Sequence, residues 1–363
     1  MRNPLKREQN PPLSPYAPKH GLRRIKSRKL TRFAAIVIAT VTVIAVGAIA
    51  GGWYAWALLP LDTADNNHVR VTIQSGAQPS QIAKQLKDAH IIRSSYAFQI
   101  YARTSGKENK LQAGTYAFAA SQSVRDIVTH LTSGKTDEFS VTILPGNTLK
   151  DIKSMLQGHG YSTSEIDSAF AATYTSDLVA MRPPGASLEG FFYPDTYNVL
   201  SDESLQTIFE RIFEHFSSVI SQNSLAPGFA EHGLSVYQGI ILSSIVQREV
   251  SNPSDQKKVA SVFYNRLDRD MTLGSEVTFR YGAALLGVEP TTTLDSPYNL
   301  YIHKNLTPTP IGSPQLSAMQ AVANPANTTF LYFLTGDDGI TYFANTDAQH
   351  QANIKQHCQL NCK

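Results

Sequence analysis

The hydrophobic residues of this chain form one long uncharged stretch followed by many shorter amphipathic segments. Residues 33–60 contain no charged side chain, and this stretch exceeds the roughly 20 apolar residues that a helix needs to cross a bilayer. Beyond it, apolar and polar residues alternate over 69–76, as in a half-buried strand, and apolar residues recur at helical spacing over 78–92. The pattern predicts one membrane-spanning helix and a folded region after it.

The folded region is predicted to contain helices and strands that are segregated along the chain rather than strictly alternating. This arrangement favours the α+β class over a doubly wound sheet. Ser80 is placed to cap the first helix, and GDDG (336–339) is typical of a hairpin turn between the last two strands. The predicted helices are 78–92, 95–106, 123–134, 163–174, 203–222, 235–250, 254–269 and 314–323, and the predicted strands are 69–76, 111–120, 329–335 and 340–344.

One pattern of strand, glycine turn and helix occurs twice. VTIQSGAQPSQIAKQL (71–86) and VTILPGNTLKDIKSML (141–156) share the opening Val-Thr-Ile, a glycine and later apolar residues at matching positions. The match indicates a related supersecondary unit used twice. Such units bind or position extended polymers about as often as they act as structural spacers, and both interpretations stay open.

Basic residues are concentrated before the apolar stretch. Residues 1–32 hold ten Lys or Arg and one acid, whereas the rest of the chain has a net charge of −6. This distribution argues against a nucleic-acid-binding face and predicts that the Pro-rich tail 1–32 is cytoplasmic. A cleaved signal peptide is the alternative, but its apolar core would span only about 7–15 residues. The sequence therefore favours an uncleaved single-pass anchor at 33–59.

Two cysteines, Cys358 and Cys362, lie in the short tail 358–363. In an extracytoplasmic domain they are compatible with a local disulfide that pins the tail, and two unpaired thiols without a function are the equally ordinary interpretation. Zinc binding together with His350 and His357 is the alternative, although the spacing matches none of the usual four-ligand patterns.

The helix predicted over 235–250 is apolar on nearly all sides and ends in a carboxylate. Ser235 and Gln238 form a capping box at its start, and Glu249 lies in its last turn, where the helix dipole disfavours negative charge. A frayed, solvent-exposed glutamate is the ordinary interpretation. An apolar environment and a helix C-terminus, however, both raise the pKa of a carboxyl toward the value that a general acid needs. Glu249 is therefore the candidate catalytic residue.

Three further segments combine aromatic rings with polar groups: LEGFFYPDTY (188–197), VASVFYNRL (259–267) and SPYNLYIHKNLTPTPIGSP (296–314). Aromatic faces beside hydrogen-bonding groups suit a saccharide, which offers apolar C–H faces and a rim of hydroxyls. Each segment alone is typical of a structural loop, but together they predict a saccharide cleft. The candidate substrate-binding or supporting residues are Glu189, Asp195, Tyr197, Asn265, Arg266, Thr278, Tyr298, Asn299 and Tyr301.

These segments, with SSIVQRE and ANPANTTFLYFLTGDDGITYFANTDAQHQANI (323–354), resemble in consistent order the motifs of the endolytic murein transglycosylase (YceG-like) family. The resemblance covers about residues 69–354 and includes the single N-terminal anchor. It implies a LysM-like membrane-proximal subdomain over 69–138 and a YceG-like catalytic domain over 139–357. It also implies a bacterial enzyme whose catalytic domain lies outside the cytoplasmic (inner) membrane.

The family's SIVEKE motif ends in its catalytic glutamate, which falls on Glu249, while the first acid of that motif is Gln247 here. The family's DPT reads EVT (276–278), and its GLPPGPI reads NLTPTPI (305–311). The second change removes a glycine from the Pro-rich loop 305–311, which the resemblance assigns to the substrate cleft. These departures leave Glu249 as the only carboxylate of its motif.

The resemblance implies a lytic transglycosylase that cleaves MurNAc-β-1,4-GlcNAc bonds of nascent peptidoglycan and leaves 1,6-anhydroMurNAc ends, with Glu249 as acid and then base. No metal or organic cofactor is implied, and peptidoglycan synthases are the implied protein partners. Two alternatives stay open. One is a hydrolytic muramidase with Glu189 or Asp195 as its second carboxylate, and the other is a wall-binding scaffold without activity.

Overall fold

The computed structural model describes residues 28–135 and 137–360, which form two compact units divided between Trp56 and Ala57. The described part of the first unit is helix α1 (Arg28–Ala57) up to Trp56. Within the described residues, Arg32–Ala57 is the one helical stretch that is long and apolar enough to cross a membrane. The predicted span 33–59 is thus helical over most of its length, and most of the predicted tail 1–32 lies outside the described residues.

The second unit begins with a small group of helices and strands around a core of its own. Strands β1 and β2 pair antiparallel, with Ile73 opposite Gly114 and His68 opposite Ala119. The elements are β1 (His68–Ile73), α2 (Pro79–Asp88), α3 (Ser95–Thr104), a 3-10 turn (Glu108–Lys110), β2 (Gly114–Ala119) and α4 (Val124–Ser133). The core contains Val71, Ile73, Ile82, Leu86, Phe98, Tyr116, Phe118, Ile127, Val128 and Leu131.

The rest of the second unit surrounds a larger core. Its strands are β3 (Glu138–Thr142), β4 (Thr196–Leu200), β5 (Tyr332–Thr335) and β6 (Thr341–Ala344). Its helices are α5 (Leu149–Gly158), α6 (Thr163–Ala171), α7 (Asp177–Ala180), α8 (Leu205–Gln222), α9 (Leu225–Glu231), α10 (Val236–Glu249), α11 (Pro253–Leu267), α12 (Glu276–Leu286), α13 (Leu316–Ala323) and α14 (Asp347–His357). Helix α10 is buried on nearly all sides because α9, α11, α12 and α13 pack against it.

The described strands form three separate antiparallel pairs, β1–β2, β3–β4 and β5–β6. Helices cover them and make up most of the core, so the predicted α+β class is confirmed. The hairpin between β5 and β6 turns at the predicted GDDG, where Gly339 has a φ of 75°.

The predicted duplication is visible in the backbone. Gly76 after β1 and Gly146 after β3 have φ values of 79° and 81°, a conformation that glycine adopts without a steric penalty. Ala77 N donates to Gln74 O and Asn147 N donates to Leu144 O, both at 3.1 Å. In both copies the isoleucine and leucine of the following helix are buried: Ile82, Leu86, Ile152 and Leu156.

Several elements were not predicted. Helix α14 has no buried residue, so it lacks the apolar periodicity on which a sequence-based prediction depends. Helix α9 contains Pro227 and Gly228, which are poor helix formers in isolation. The predicted cap at Ser80 was wrong. Helix α2 starts two residues earlier than a cap at Ser80 implies, with Pro79 as its first residue and Gln78 as the N-cap, because proline is favoured at the first helical position.

The two parts of the second unit are joined by hydrogen bonds as well as by the chain. The Arg70 Nε of β1 donates to Ser201 O at 2.7 Å, and Ser201 Oγ donates to Thr115 O at 2.6 Å. Arg70 N donates to His159 O at 2.8 Å. These bonds fix the duplicated units against each other.

Candidate active site

The candidate catalytic carboxyl lies at the end of the most buried helix. Ser235 caps α10 through a capping box with Gln238, and apolar residues occupy almost every side of the helix as far as Val246. The helix ends at Glu249, and Val250 is already extended, with a φ of −144°. Burial of α10 therefore holds the backbone of Glu249 firmly in place.

Glu249 is half-buried, and among the described residues its carboxyl has one hydrogen-bond partner, the hydroxyl of Ser275, which donates to Oε1. Burial raises the pKa of Glu249 to about 7, and the negative charge of Glu276 adds to this effect. The Ser275 hydrogen bond and the nearby Arg266 and Arg248 oppose it. The carboxyl is thus held in an environment that keeps a large fraction protonated near neutral pH.

Ser275 was not among the predicted site residues. It occupies the N-cap position of α12, yet its side chain makes no cap hydrogen bond and instead contacts Glu249. Its position directly before EVT (276–278) would indicate only a helix start. Its role depends on the approach of α12 to the end of α10, which the sequence does not reveal.

An open cleft of about 870 Å³ lies beside Glu249. Its walls come from the end of α10, from α11, from the start of α12, from β5 and from α14. The lining residues are Arg248, Glu249, Arg266, Met271, Thr272, Gly274, Glu276, Val277, Phe279, Arg280, Thr292, Tyr301, Tyr332, Phe333, Leu334, Thr335, His350 and Ile354. The mixture of aromatic, cationic and acidic groups around one protonatable carboxyl suits a polar polymer.

Three of the predicted residues meet in this cleft: Glu249, Arg266 and Tyr301. Arg266 is held by Leu331 O, which accepts from its Nε at 2.6 Å, and by Leu273 O. Its guanidinium lies 5.3 Å from the centre of the Tyr332 ring, and burial lowers its pKa. Tyr301 is 42% exposed, so its ring is accessible to a ligand.

Glu189 lies outside this cleft, although as a whole residue it is less exposed than Glu249. It is 3% exposed and accepts hydrogen bonds from Leu149 N at 3.2 Å and from Tyr281 Oη at 2.9 Å. Burial raises the pKa of Glu189 to about 7. The carboxyl therefore connects the start of α5 to α12, the helix whose cap residue contacts Glu249.

Asp195 and Tyr197 lie away from Glu249. Asp195 lines a separate depression of about 450 Å³ together with Tyr193 and Gln315, and its Oδ2 pairs with His215 Nε2 at 3.0 Å. The hydroxyl of Tyr197 donates to Tyr193 O at 2.8 Å. The structure thus does not bring these two residues to the carboxyl at Glu249.

The remaining predicted residues are engaged within the protein. Asn265 Nδ2 donates to Thr328 O and Phe330 O, and Asn299 Nδ2 donates to Thr292 O and Leu294 O, each at 2.9 Å. Thr278 donates to Ser275 O, and the hydroxyls of Tyr298 and Thr309 lie 2.8 Å apart. None of these four, Asn265, Thr278, Tyr298 and Asn299, is among the described residues that line the cleft. Direct contact of these residues with a sugar stays a prediction.

His350 of α14 was predicted only as an alternative zinc ligand. Its ring stacks on Tyr332, with 5.2 Å between the ring centres, and it lines the cleft. Its Nδ1 has no hydrogen-bond partner in the described part of the chain, and burial lowers its pKa. The imidazole of His350 therefore lines the same cleft as the carboxyl of Glu249. His357 instead stacks on Tyr342, and Cys362 lies outside the described residues, so the tail disulfide with Cys358 stays a prediction.

Known proteins resemble this chain over most of its length. Residues 71–356 match the model of the YceG-like family. A Streptococcus pneumoniae (strain D39) protein named endolytic murein transglycosylase is 31% identical over 356 residues, which cover 85% of this chain and 62% of the relative. The chain thus spans less than two thirds of the length of that relative.

A Bacillus subtilis (strain 168) protein with the same name is 30% identical over 314 residues, covering 81% of this chain and 86% of the relative. A crystal structure of a YceG-like protein from Listeria monocytogenes superposes with a TM-score of 0.52 at 27% identity, covering 78% of this chain and 98% of that one. The order of motifs, the family match and the shared fold agree, and the chain belongs to the YceG-like family.

Proposed function

We propose that this chain is a membrane-anchored lytic transglycosylase that cleaves MurNAc-β-1,4-GlcNAc bonds of peptidoglycan. The observation that carries the proposal is the half-buried Glu249, whose pKa lies at about 7 beside a cleft of about 870 Å³. A carboxyl that is largely protonated near neutral pH is what a general acid requires. The names of the relatives from Streptococcus pneumoniae and Bacillus subtilis support the substrate class.

The proposed reaction uses Glu249 twice. Its carboxyl first donates a proton to the bridging oxygen as the bond to MurNAc C1 breaks and an oxocarbenium-like state develops. The resulting carboxylate then accepts a proton from the MurNAc C6 hydroxyl, whose oxygen attacks C1 and closes the 1,6-anhydro ring. The proton returns to Glu249 and no water is consumed, so no second catalytic carboxylate is needed.

Two neighbours support both steps. Ser275 orients the carboxyl through its hydrogen bond to Oε1, and the guanidinium of Arg266 stabilises the carboxylate that forms after proton donation. Tyr301, exposed at the edge of the cleft, offers an aromatic face for a sugar ring.

Hydrolysis of the same bond is the second candidate function, and one observation favours it. Glu276 lines the cleft beside Glu249 and interacts with it electrostatically. Its exposed carboxylate, paired with Arg280, replaces Glu189 and Asp195 as the candidate base for activating water. Lytic cleavage needs only Glu249, and it remains the function we propose.

The architecture proposed for the enzyme follows its sequence. Residues 33–59 anchor the chain in the inner membrane with the N-terminus in the cytoplasm, a LysM-like subdomain occupies 69–138, and the catalytic domain occupies 139–357 outside the membrane. Glycan strands are the proposed substrate and peptidoglycan synthases the proposed protein partners. A non-enzymatic scaffold would keep this arrangement but would release no product.

The pH dependence of cleavage tests the proposed acid. Because Glu249 must be protonated to act and burial raises its pKa to about 7, kcat/KM should be level below this pH and fall about tenfold per unit above it. Initial rates of glycan-strand cleavage between pH 5 and pH 9 measure the profile. A rate that rises from pH 6 to pH 8 would contradict Glu249 as the acid.

Replacing Ser275 with Ala tests the hydrogen bond to Glu249. This bond lowers the pKa of Glu249 against the effect of burial, so its removal should move the alkaline limb of the profile to higher pH. The maximal rate should fall about tenfold, because the carboxyl loses its orienting partner. Ser221→Ala, at the exposed end of α8, is the matched control and should leave both the limb and the rate unchanged.

A further inference from the structure

The two copies of the duplicated unit differ in what lies on their glycine turns. In the second copy, a later segment of the chain passes over the turn: Gly146 N donates to Ser313 O at 2.7 Å, and Ser313 N donates to Asn147 O at 2.8 Å. The protein thus binds a piece of its own chain through one main-chain donor and one main-chain acceptor. The arrangement is the kind of main-chain pairing by which an edge captures an extended peptide.

The turn of the first copy has the same backbone but no such partner. Gly76 N and Ala77 O, the equivalents of Gly146 N and Asn147 O, have no hydrogen-bond partner among the described residues. Gly76 is exposed, whereas Gly146 is half-buried. A Cβ placed on Gly76 would meet no atom within 4 Å.

A depression of about 460 Å³ surrounds this open turn. Gln85 lines it, and the side-chain Oε1 of Gln85 has no partner in the described part of the chain; the equivalent residue of the second copy is the apolar Met155. The other lining residues are Gln74, Ser75, Gly76, Ala77, Gln81 and Lys84. The lining contains no aromatic ring, so it lacks the usual platform for a sugar, while its amides and free main-chain groups suit a peptide.

We propose that the first-copy turn (Gln74–Ala77, with Gln85) is a docking site for an extended polypeptide segment of a partner protein. The segment pairs with Gly76 N and Ala77 O as residue 313 pairs with the second copy. The bound segment carries glycine at the position of closest approach, which Gly312 occupies in the second copy. A Cβ on Gly312 would lie only 2.7 Å from Gly146 O, so a larger residue does not fit there. The side chain of Gln85, whose Oε1 is buried and without a partner among the described residues, turns toward the bound segment so that Oε1 accepts a further N–H.

The probe is a fluorescein-labelled peptide of sequence TPIGSPQLS, copied from residues 309–317. Its binding to the full chain in nanodiscs is measured by fluorescence anisotropy. We expect saturable binding that weakens at least tenfold when the glycine of the peptide is replaced with Val. We also expect Gln85→Leu to weaken binding about fivefold, the equivalent of one hydrogen bond, and Lys87→Ala, on the same helix but outside the depression, to leave it unchanged.

Hydrogen exchange read by mass spectrometry provides a second measurement that needs no variant. The peptide should slow exchange in the fragment containing Gly76 and Ala77 and leave the fragment containing Gly146 unchanged, since that turn is already covered. Absence of saturable binding, or equal binding of the glycine and valine peptides, would overturn the proposal. Displacement of the peptide by an N-acetylglucosamine oligomer, with loss of oligomer binding in Gln85→Leu, would overturn it in favour of a saccharide site.

Discussion

Glu249→Gln should reduce the cleavage of purified glycan strands by about 10²–10⁴-fold, the contribution typical of general acid–base catalysis. Glutamine keeps the size of the side chain and can still accept a hydrogen bond from the hydroxyl of Ser275, but its amide has no acidic proton to transfer to the bridging oxygen. The alkaline limb of the pH profile should disappear with the activity. The free energy of unfolding should not fall, because an ionisable group that is costly to bury is replaced with a neutral one.

Two variants serve as controls for this prediction. Glu231→Gln, at the exposed end of α9, should retain wild-type activity. Glu276→Gln should also retain most of it if the reaction is lytic, because the proposed mechanism needs no second carboxylate. Equal loss of activity in Glu249→Gln and Glu276→Gln would favour a hydrolase with two carboxylates, and unchanged cleavage by Glu249→Gln would contradict the assignment of the acid.

Glu189→Ala should lower the free energy of unfolding by about 3 kcal/mol at pH 5. The truncation leaves Leu149 N and Tyr281 Oη without their acceptor and opens space in a buried site, and each buried unsatisfied donor costs about 1–3 kcal/mol. Denaturant unfolding followed by circular dichroism measures the effect. Glu231→Ala, which is exposed, should change stability by less than about 0.5 kcal/mol.

The effect of Glu189→Ala should also depend on pH. Burial raises the folded-state pKa of Glu189 from 4.5 to about 7, so the wild-type carboxyl contributes stability that is fully present below pH 4.5 and is lost as the pH rises through 7. The difference between wild type and Glu189→Ala should therefore be larger at pH 5 than at pH 8. A difference that grows with pH would show that Glu189 is stabilised in its ionised form.

The activity of Glu189→Ala separates a structural role from a catalytic one. If Glu189 only connects α5 to α12, the folded variant should keep the pH profile of the wild type and lose rate only through a less rigid Ser275. Loss of the profile itself would make Glu189 part of the reaction.

Local patterns were sufficient to predict much of the fold. The capping box of α10, the apolar faces of the long helices and the two glycine turns are each encoded within about 20 consecutive residues, and all appear where predicted. Helix α14 was missed because its few apolar residues form no buried face. It is held against β5 and β6 by contacts between segments that the sequence does not relate.

The candidate site was harder to predict than the fold. Glu249 was identified from the conflict between an apolar helix and a terminal carboxyl, which is a local feature. Ser275 and His350 enter the cleft only through tertiary packing. Conversely, Asn265 and Asn299 have the hydrogen-bonding groups of a sugar-binding residue, yet their amides donate to backbone carbonyls of nearby loops. The residue type alone does not distinguish an asparagine that binds a sugar from one that stabilises a loop.

The origin of the oxygen in the product ends tests the proposed mechanism most directly. Glycan strands digested in H₂¹⁸O by the full chain should yield MurNAc ends that are lighter by one water than reducing ends and carry no ¹⁸O, because the C6 oxygen of the same sugar attacks C1. Glu249→Gln should yield neither product. Reducing ends that contain one ¹⁸O would show that water is the nucleophile and would contradict the lytic mechanism.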